Sequence, residues 1–315
     1  MRAVAVEKFG AVPRLMDLSN PTPRAGEAVV RLTAAGMNPF DWKIADGTLK
    51  ARPHVFPLVL GVDGAGTVET VGPGVDRFRA GDRIFGSFLH NPVGTGTYTE
   101  YAPVPEGNAV SRVPDSLTDR EAAALPTAGI TTIQALGQLE PGKGSTFLVV
   151  GASGGIGSLA VPLARGRGAR VIAVARAGSA QRLQATGASE FVDLTLPDWH
   201  DRVRALVPGG VNAALDLMNS AAGFAQTATL VQAGGRIGST IGAASGAAVP
   251  PGVRAININL EPSVALLDQL TKEIIDGGVK VPVERTIALE EAPGVLAEIR
   301  SGRAAGKTVI LLSEG

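Results

Sequence analysis

Two apolar runs, Thr146–Val150 and Arg170–Ala175, stand on either side of a glycine-rich turn and a helical stretch near Ile156–Arg165. A run that is apolar at nearly every position suits a strand buried on both faces, as in a parallel sheet. Strand, glycine turn, helix, strand is the order of a dinucleotide-binding βαβ unit. Residues 1–118 read differently. Short apolar strands such as Ala3–Val6, Glu27–Ala35 and Gly66–Val71 alternate with Pro/Gly turns at Asn20–Gly26, Gly72–Val75 and Ala80–Asp82. That rhythm predicts a compact, mostly-β domain of barrel or sandwich type. The Pro103–Pro105 and Val113–Pro114 steps read as connections between strands.

At Thr118 the pattern changes. Thr118 and Glu121 have capping-box spacing ahead of an alanine-rich run, which predicts a helix interrupted near Pro126 and continuing toward Leu139. Beyond the βαβ unit, strands are expected at Glu190–Asp193, Asn212–Leu217, Gly235–Ile241 and Arg254–Ile258. Helices are expected at Ala180–Thr186, Trp199–Val207 and Ala221–Val231. Such alternation builds an open parallel sheet with helices on both faces. From Glu261 two helices, about Pro262–Asp276 and Glu290–Ser301, flank an extended piece at Val281–Ile287, and a last strand covers Thr308–Leu312. That strand has the option of returning to the amino-terminal domain.

The turn reads Ala152-x-Gly154-x-x-Gly157, with Gly151 and Gly155 added. A tight turn here needs a glycine, and a side chain at Gly154 or Gly155 would obstruct a pyrophosphate. Gly157 lets the helix lie close to the strand. The helix start then offers N–H groups and its positive dipole end to an anion. Ala152, Ser153, Gly154, Gly155, Ile156 and Gly157 are therefore the candidate pyrophosphate contacts. The end of the second strand selects the dinucleotide. An NAD site places an acidic residue there for the ribose 2′-OH, whereas this chain has Arg176 followed by Ala177, Gly178 and Ser179. A guanidinium pairs with a 2′-phosphate through two parallel hydrogen bonds. The expected cofactor is NADPH, with Arg176, joined by Ser179 or Arg182, at the phosphate; the alternative is a solvated Arg176. Pro162 lies inside the expected helix, where it removes a hydrogen bond and is expected to kink the helix against the carbonyl of Ser158.

Composition narrows the chemistry. With 315 residues, 45% hydrophobic, the chain has room for two domains. Lys+Arg and Asp+Glu both number 29, so no basic field exists to hold nucleic acid. Cysteine is absent, which excludes disulfides, a thiolate nucleophile and cysteine-ligated zinc. No apolar stretch is long enough to span a bilayer, and the amino terminus does not read as a signal peptide. The expected compartment is the cytoplasm.

Several stretches together resemble the medium-chain dehydrogenase/reductase superfamily, and within it the zinc-independent quinone oxidoreductase branch. They are Ala34–Lys43 (AAGMNPFDWK), Pro57–Gly86, Gly96–Tyr101 (GTYTEY), Gly129–Leu136 (GITTIQAL), Val149–Ala175 and Gly306–Leu312 (GKTVILL). The resemblance implies an α/β protein with a GroES-like, mostly-β catalytic domain from residues 1–120 and 260–315. A Rossmann domain, a doubly wound parallel sheet, would be inserted at 121–259, with the nicotinamide in the cleft. Zinc-dependent members place ligands near the positions of Ala34–Gly36 and in a GHE segment, which here reads Gly61-Val62-Asp63. With no cysteine, and with His54, His90 and His200 scattered, no metal site is expected.

By the same resemblance Asn38 lies beside nicotinamide and substrate, where its amide could bind a substrate carbonyl or the cofactor amide; its other reading is to close the turn before Pro39. Asp41 holds this loop. Lys43 reaches the nicotinamide ribose, polarises a carbonyl or is a solvated lysine. Thr131 packs behind the nicotinamide or simply inside its helix. Tyr98 and Tyr101 are structural. Asn219 contacts the cofactor or caps the next helix. The implied reaction moves a hydride from NADPH to a quinone or another electron-poor carbonyl. The alternatives are a C=C reductase of enoyl or alkenal substrates and a non-catalytic NADPH-binding protein. Relatives imply a homodimer joined by sheet edges, for which Arg236–Ile241 is a candidate, though an internal strand fits it as well.

Overall fold

The computed structural model describes residues 1–312. The chain divides into two compact units. The first is Met1–Ala128 with Pro262–Asp268 and the segment from Val281; the second is Gly129–Glu261 with Gln269–Lys280.

The first unit opens with strands β1 (Arg2–Val6), β2 (Arg14–Asp17) and β3 (Glu27–Gly36), then the short helix α1 (Pro39–Ala45). Strands β4 (His54–Val59), β5 (Asp63–Val71), β6 (Arg83–Ser87), β7 (Val93–Thr95), β8 (Tyr101–Pro105) and β9 (Val110–Arg112) follow. Helix α2 (Asp119–Ala124) is capped as its spacing predicts: Thr118 Oγ1 accepts the Glu121 N–H at 3.3 Å, and the Glu121 carboxylate accepts the Thr118 N–H at 3.0 Å. Pro126 starts α3 (Pro126–Leu139). The unit extends through the start of α3 because Thr127 donates both its N–H and its hydroxyl to Asp63 of β5.

The second unit continues with β10 (Thr146–Val150), α4 (Gly155–Gly166), β11 (Arg170–Ala175), α5 (Ala180–Ala185) and β12 (Glu190–Asp193). Next come α6 (Trp199–Leu206), β13 (Val211–Asp216), α7 (Ala221–Ala228), β14 (Val231–Ser239) and β15 (Arg254–Asn257). Helix α8 (Val264–Asp276) contributes residues to both units. Strand β16 (Arg285–Ala288), helix α9 (Ala292–Arg300) and strand β17 (Thr308–Leu311) complete the first unit.

In the second unit all six strands are parallel, in the order β12-β11-β10-β13-β14-β15. The sequence order reverses at β10, and ligands of doubly wound sheets sit at the carboxyl ends of strands beside such a switch. Two sheets make up the first unit: β2-β1-β4-β7, and a seven-stranded one in which β17 pairs antiparallel with β3, Val309 opposite Gly36. The last strand thus joins the amino-terminal sheet. Its apolar faces enclose a core that includes Val30, Leu32, Leu58, Ile84, Tyr98 and Ile310.

Two sequence expectations need correction. Pro103–Pro105 belongs to the strand Tyr101–Pro105 and is not a connection. Pro103 and Pro105 stand two apart, opposite Val29 and Glu27 of β3, and among the described residues β8 has no other strand partner. Alternate prolines on an edge strand withhold only N–H groups that would face away from the ladder. Arg236–Ile241 is also not a sheet edge. β14 lies between β13 and β15, and the edge strand on that side of the sheet is β15. Helix α4 continues through Pro162.

Candidate functional site

In the first unit a buried polar cluster forms where β3 gives way to α1. Asn38 caps α1 in extended backbone, and Pro39 at the first helical position presets the turn. Asp41, three residues on, accepts the Asn38 N–H at 2.7 Å and the Tyr98 hydroxyl at 2.6 Å, both on Oδ2. Its Oδ1 is buried without a partner among the described residues. Burial pushes the Asp41 carboxyl up to about 7, against the pull of those two bonds; nearby Asp63 raises it and Lys307 lowers it. Burial, followed by the charge of Asp41, holds the Tyr98 hydroxyl well above its ordinary value.

Asp63, at the start of β5, is wholly buried. Its carboxylate accepts the Thr127 hydroxyl at 2.7 Å, the Thr127 N–H at 3.1 Å and Asn38 Nδ2 at 2.8 Å. Lys307, just before β17, is only 4% exposed. Its ammonium lies 2.7 Å from Asn38 Oδ1 and 3.4 Å from Asp63 Oδ2. Asn38 Nδ2 also reaches the Gly36 carbonyl at 3.3 Å. The Asn38 amide is therefore committed within the cluster, and its two hydrogens are not offered to a substrate carbonyl. Lys43 is placed differently. It is half-buried on α1, its ammonium 5.8 Å from the Trp42 ring centre, while Arg300 covers the same ring at 5.4 Å and pairs with Asp46 at 2.7 Å.

In the second unit the glycine turn leaves β10 through Gly151, whose φ of +85° excludes most side chains. A Cβ on Gly157 would stand 2.6 Å from Ala152 Cα, so the helix packs directly on the strand end. Gly154, which precedes α4, is different: a Cβ there would meet only the Gly151 carbonyl oxygen, at 3.5 Å. Internal packing does not require glycine at 154, whereas a ligand lying against that backbone does. The first N–H groups of α4, at Gly155, Ile156 and Gly157, have no intrahelical acceptor. Ala152 is buried and Ser153 half-buried beside them. The turn fits a pyrophosphate.

Arg176 follows β11 and is exposed. The Ser179 hydroxyl donates to the Arg176 carbonyl at 2.7 Å, which closes the turn that carries the guanidinium. Arg182 reaches the Ser153 carbonyl at 3.5 Å, at the limit of a hydrogen bond. Asp193 ends β12, one strand away, with Ala175 opposite it. The Thr195 N–H, followed by the Thr195 hydroxyl, holds its carboxyl below the usual range. Asn219, after β13, does not cap α7; Ser220 does. Its Nδ2 donates to Asp216 at 2.8 Å, and Asp216 also takes the Asn219 N–H and the Thr227 hydroxyl. Thr131 is buried in α3.

Sequence reasoning missed Asp63, Thr127, Lys307 and Asp216 as site residues. Lys307, Asp63 and Asp216 carried a signal, as lone charges inside the otherwise largely apolar GKTVILL, GVDGAG and NAALDLM segments.

Family models match two parts of the chain: the alcohol dehydrogenase GroES-like domain over residues 24–115 and a zinc-binding dehydrogenase over residues 186–310. The chloroplast envelope quinone oxidoreductase homolog of Arabidopsis thaliana is 39% identical over 185 residues, covering 56% of this chain and 55% of that protein. The chain thus aligns with little more than half the length of that relative. Human quinone oxidoreductase is 30% identical over 75% of this chain and 72% of its own length. A mycobacterial protein solved in complex with NADPH superposes with a TM-score of 0.81 at 27% identity, covering 99% of this chain and all of that one.

The residues present do not fit the zinc named in the second model. The chain has no cysteine. The ring of His90 is engaged by the Phe88 carbonyl at 2.8 Å and the Thr95 hydroxyl at 3.2 Å. Among the described residues no group of three or more histidine or acidic side chains could hold a metal. Beside Asp63 the positive charge is the Lys307 ammonium.

Proposed function

The chain belongs to the quinone oxidoreductase-like branch of the medium-chain dehydrogenase/reductase superfamily, and from that premise we propose that it reduces a quinone or an α,β-unsaturated carbonyl with NADPH. The single observation that carries the proposal is the pairing of an open Gly154 before α4 with Arg176 at the end of the next strand. When bound, NADPH supplies the hydride. The chain's own part is to bind, orient and shield. The α4 N–H groups and the dipole of that helix take the pyrophosphate. Arg176 takes the 2′-phosphate, and Ser179 steadies its turn. Thr131 and Asn219 stand by the cofactor from α3 and the end of β13. Lys43 stabilises the negative charge that develops on the acceptor oxygen. Such an acceptor is already polarised, so the step needs no Lewis acid.

Two assays test this reading. Arg176→Ala removes a charge-assisted pair, so it is expected to raise the NADPH dissociation constant about 10- to 100-fold and to leave NADH binding nearly unchanged. An equal effect on both coenzymes would place Arg176 outside the phosphate site. Oxidation of NADPH is expected with both a naphthoquinone and a short enal, with the faster rate identifying the acceptor class. Tight NADPH binding without turnover on either would replace the enzyme with a non-catalytic NADPH-binding protein.

A further inference from the structure

We infer that Lys307 is a positioning residue for this reaction: together with Asp63 it locks the Asn38 amide so that Asn38 presents a hydrogen-bond acceptor and no donor. The inference rests on the reductase reading above.

The lock follows from the chemistry of the partners. An ammonium has hydrogens to give and nothing to accept with, and a carboxylate has lone pairs and no hydrogen. Asn38 Oδ1 faces Lys307 Nζ at 2.7 Å and Asn38 Nδ2 faces Asp63 Oδ2 at 2.8 Å. The flipped amide would set its NH2 against the ammonium and its oxygen against the carboxylate. The two charges therefore fix which way the amide points. Neither charge is free to follow it. Asp63 is held by both donors of Thr127, and its carbonyl accepts the Thr97 hydroxyl at 2.9 Å. Lys307 is confined by burial, with only 4% of its surface exposed.

The remaining capacity of Asn38 can be counted. Its two amide hydrogens go to Asp63 and to the Gly36 carbonyl. Its oxygen has two lone pairs, one of which takes Lys307. What is left is one lone pair. The group it recognises is a hydrogen-bond donor, either a primary amide N–H on the coenzyme ring or a hydroxyl on the reduced acceptor. The carbonyl oxygen of the oxidised acceptor is not a partner for Asn38, which leaves that oxygen to Lys43.

A double-mutant cycle tests the coupling. NADPH oxidation by a naphthoquinone is measured for wild type, Lys307→Met, Asn38→Ala and the double variant. Methionine keeps the stem volume and removes the charge. Each single variant is expected to lose about tenfold in kcat/KM, the worth of one hydrogen bond, and the double variant no more than Asn38→Ala alone. A lysine with a merely structural role would cost the same in both backgrounds, so a roughly hundredfold additive loss overturns the inference. A coenzyme analogue with an acetyl group in place of the ring amide separates the two donors. If the coenzyme is the donor, Asn38→Ala loses its effect with the analogue; if the product hydroxyl is, the effect persists; a persistent effect on the analogue with an acceptor whose product has no hydroxyl overturns the assignment. If Lys307→Met does not fold, wild type still decides. Its Asn38 side-chain amide protons are expected to exchange slowly with solvent, and exchange at the free-amide rate overturns the lock. A wild type that oxidises no NADPH with any acceptor removes the reductase reading and the inference with it. Additive losses in an active enzyme remove the inference alone.

Discussion

Asp63→Ala is expected to destabilise the protein by about 3–5 kcal/mol, the range for breaking a buried pair by removing one partner. Lys307 is only 4% exposed and has two partners, Asn38 and Asp63. Without the carboxylate its ammonium keeps one neutral oxygen and loses its paired carboxylate. Thr127 loses the acceptor for both its N–H and its hydroxyl at the start of α3, and Asn38 Nδ2 loses its shorter bond. Thermal melting is expected to fall by roughly 10 °C, at about 2–4 °C per kcal/mol. In a Lys307→Met background the same substitution should cost clearly less, because no charge is left stranded. A fall of under about 2 °C for Asp63→Ala would mean that the cluster does not hold the unit together.

The second large effect depends on pH and concerns Asp41. Its carboxyl is raised from 3.8 to about 7 by burial. Between those values the folded chain holds a proton that the unfolded chain has released. Protons bound to the folded state but not to the unfolded one make stability fall as pH rises. The contribution of Asp41 is thus fully present below pH 3.8 and lost as pH rises through about 7. At 1.36 kcal/mol for each pKa unit the change is about 4 kcal/mol. Asp41→Asn copies the protonated form: its carbonyl oxygen can accept the Asn38 N–H and the Tyr98 hydroxyl, and its NH2 takes the place of the unpartnered Oδ1. Urea unfolding of the two proteins should therefore diverge between pH 4 and 7, with wild type losing ground, and run parallel above pH 8. Parallel curves throughout would mean that Asp41 is solvated. A wild type gaining on the variant as pH rises would mean that its carboxyl is lowered instead.

The parts of the molecule legible in the sequence are those governed by local pattern. Gly157 could be assigned from spacing because the close approach of helix and strand is set by a few neighbouring residues. The Thr118–Glu121 cap is likewise three residues wide. Local pattern also misled. Pro103 and Pro105 suggested a break because a proline usually ends a strand, yet at alternate positions of an edge strand it does not. The Arg236 stretch looked like a possible edge because nothing within it records that Arg254–Asn257 pairs alongside. The Asn38 environment was out of reach for a different reason. Its amide is fixed by Asp63, 25 residues on, and by Lys307, 269 residues on, and no local signal joins positions that only the pairing of β17 with β3 brings together.

The central claim is that this chain reduces an electron-poor acceptor with NADPH and without a metal. It is tested most directly by the rate of NADPH oxidation with a naphthoquinone after exhaustive chelation, measured with and without added zinc. The account predicts an undiminished rate after chelation, no gain from zinc and a clear preference for NADPH over NADH. A rate that vanishes with the chelator and returns with zinc would contradict it.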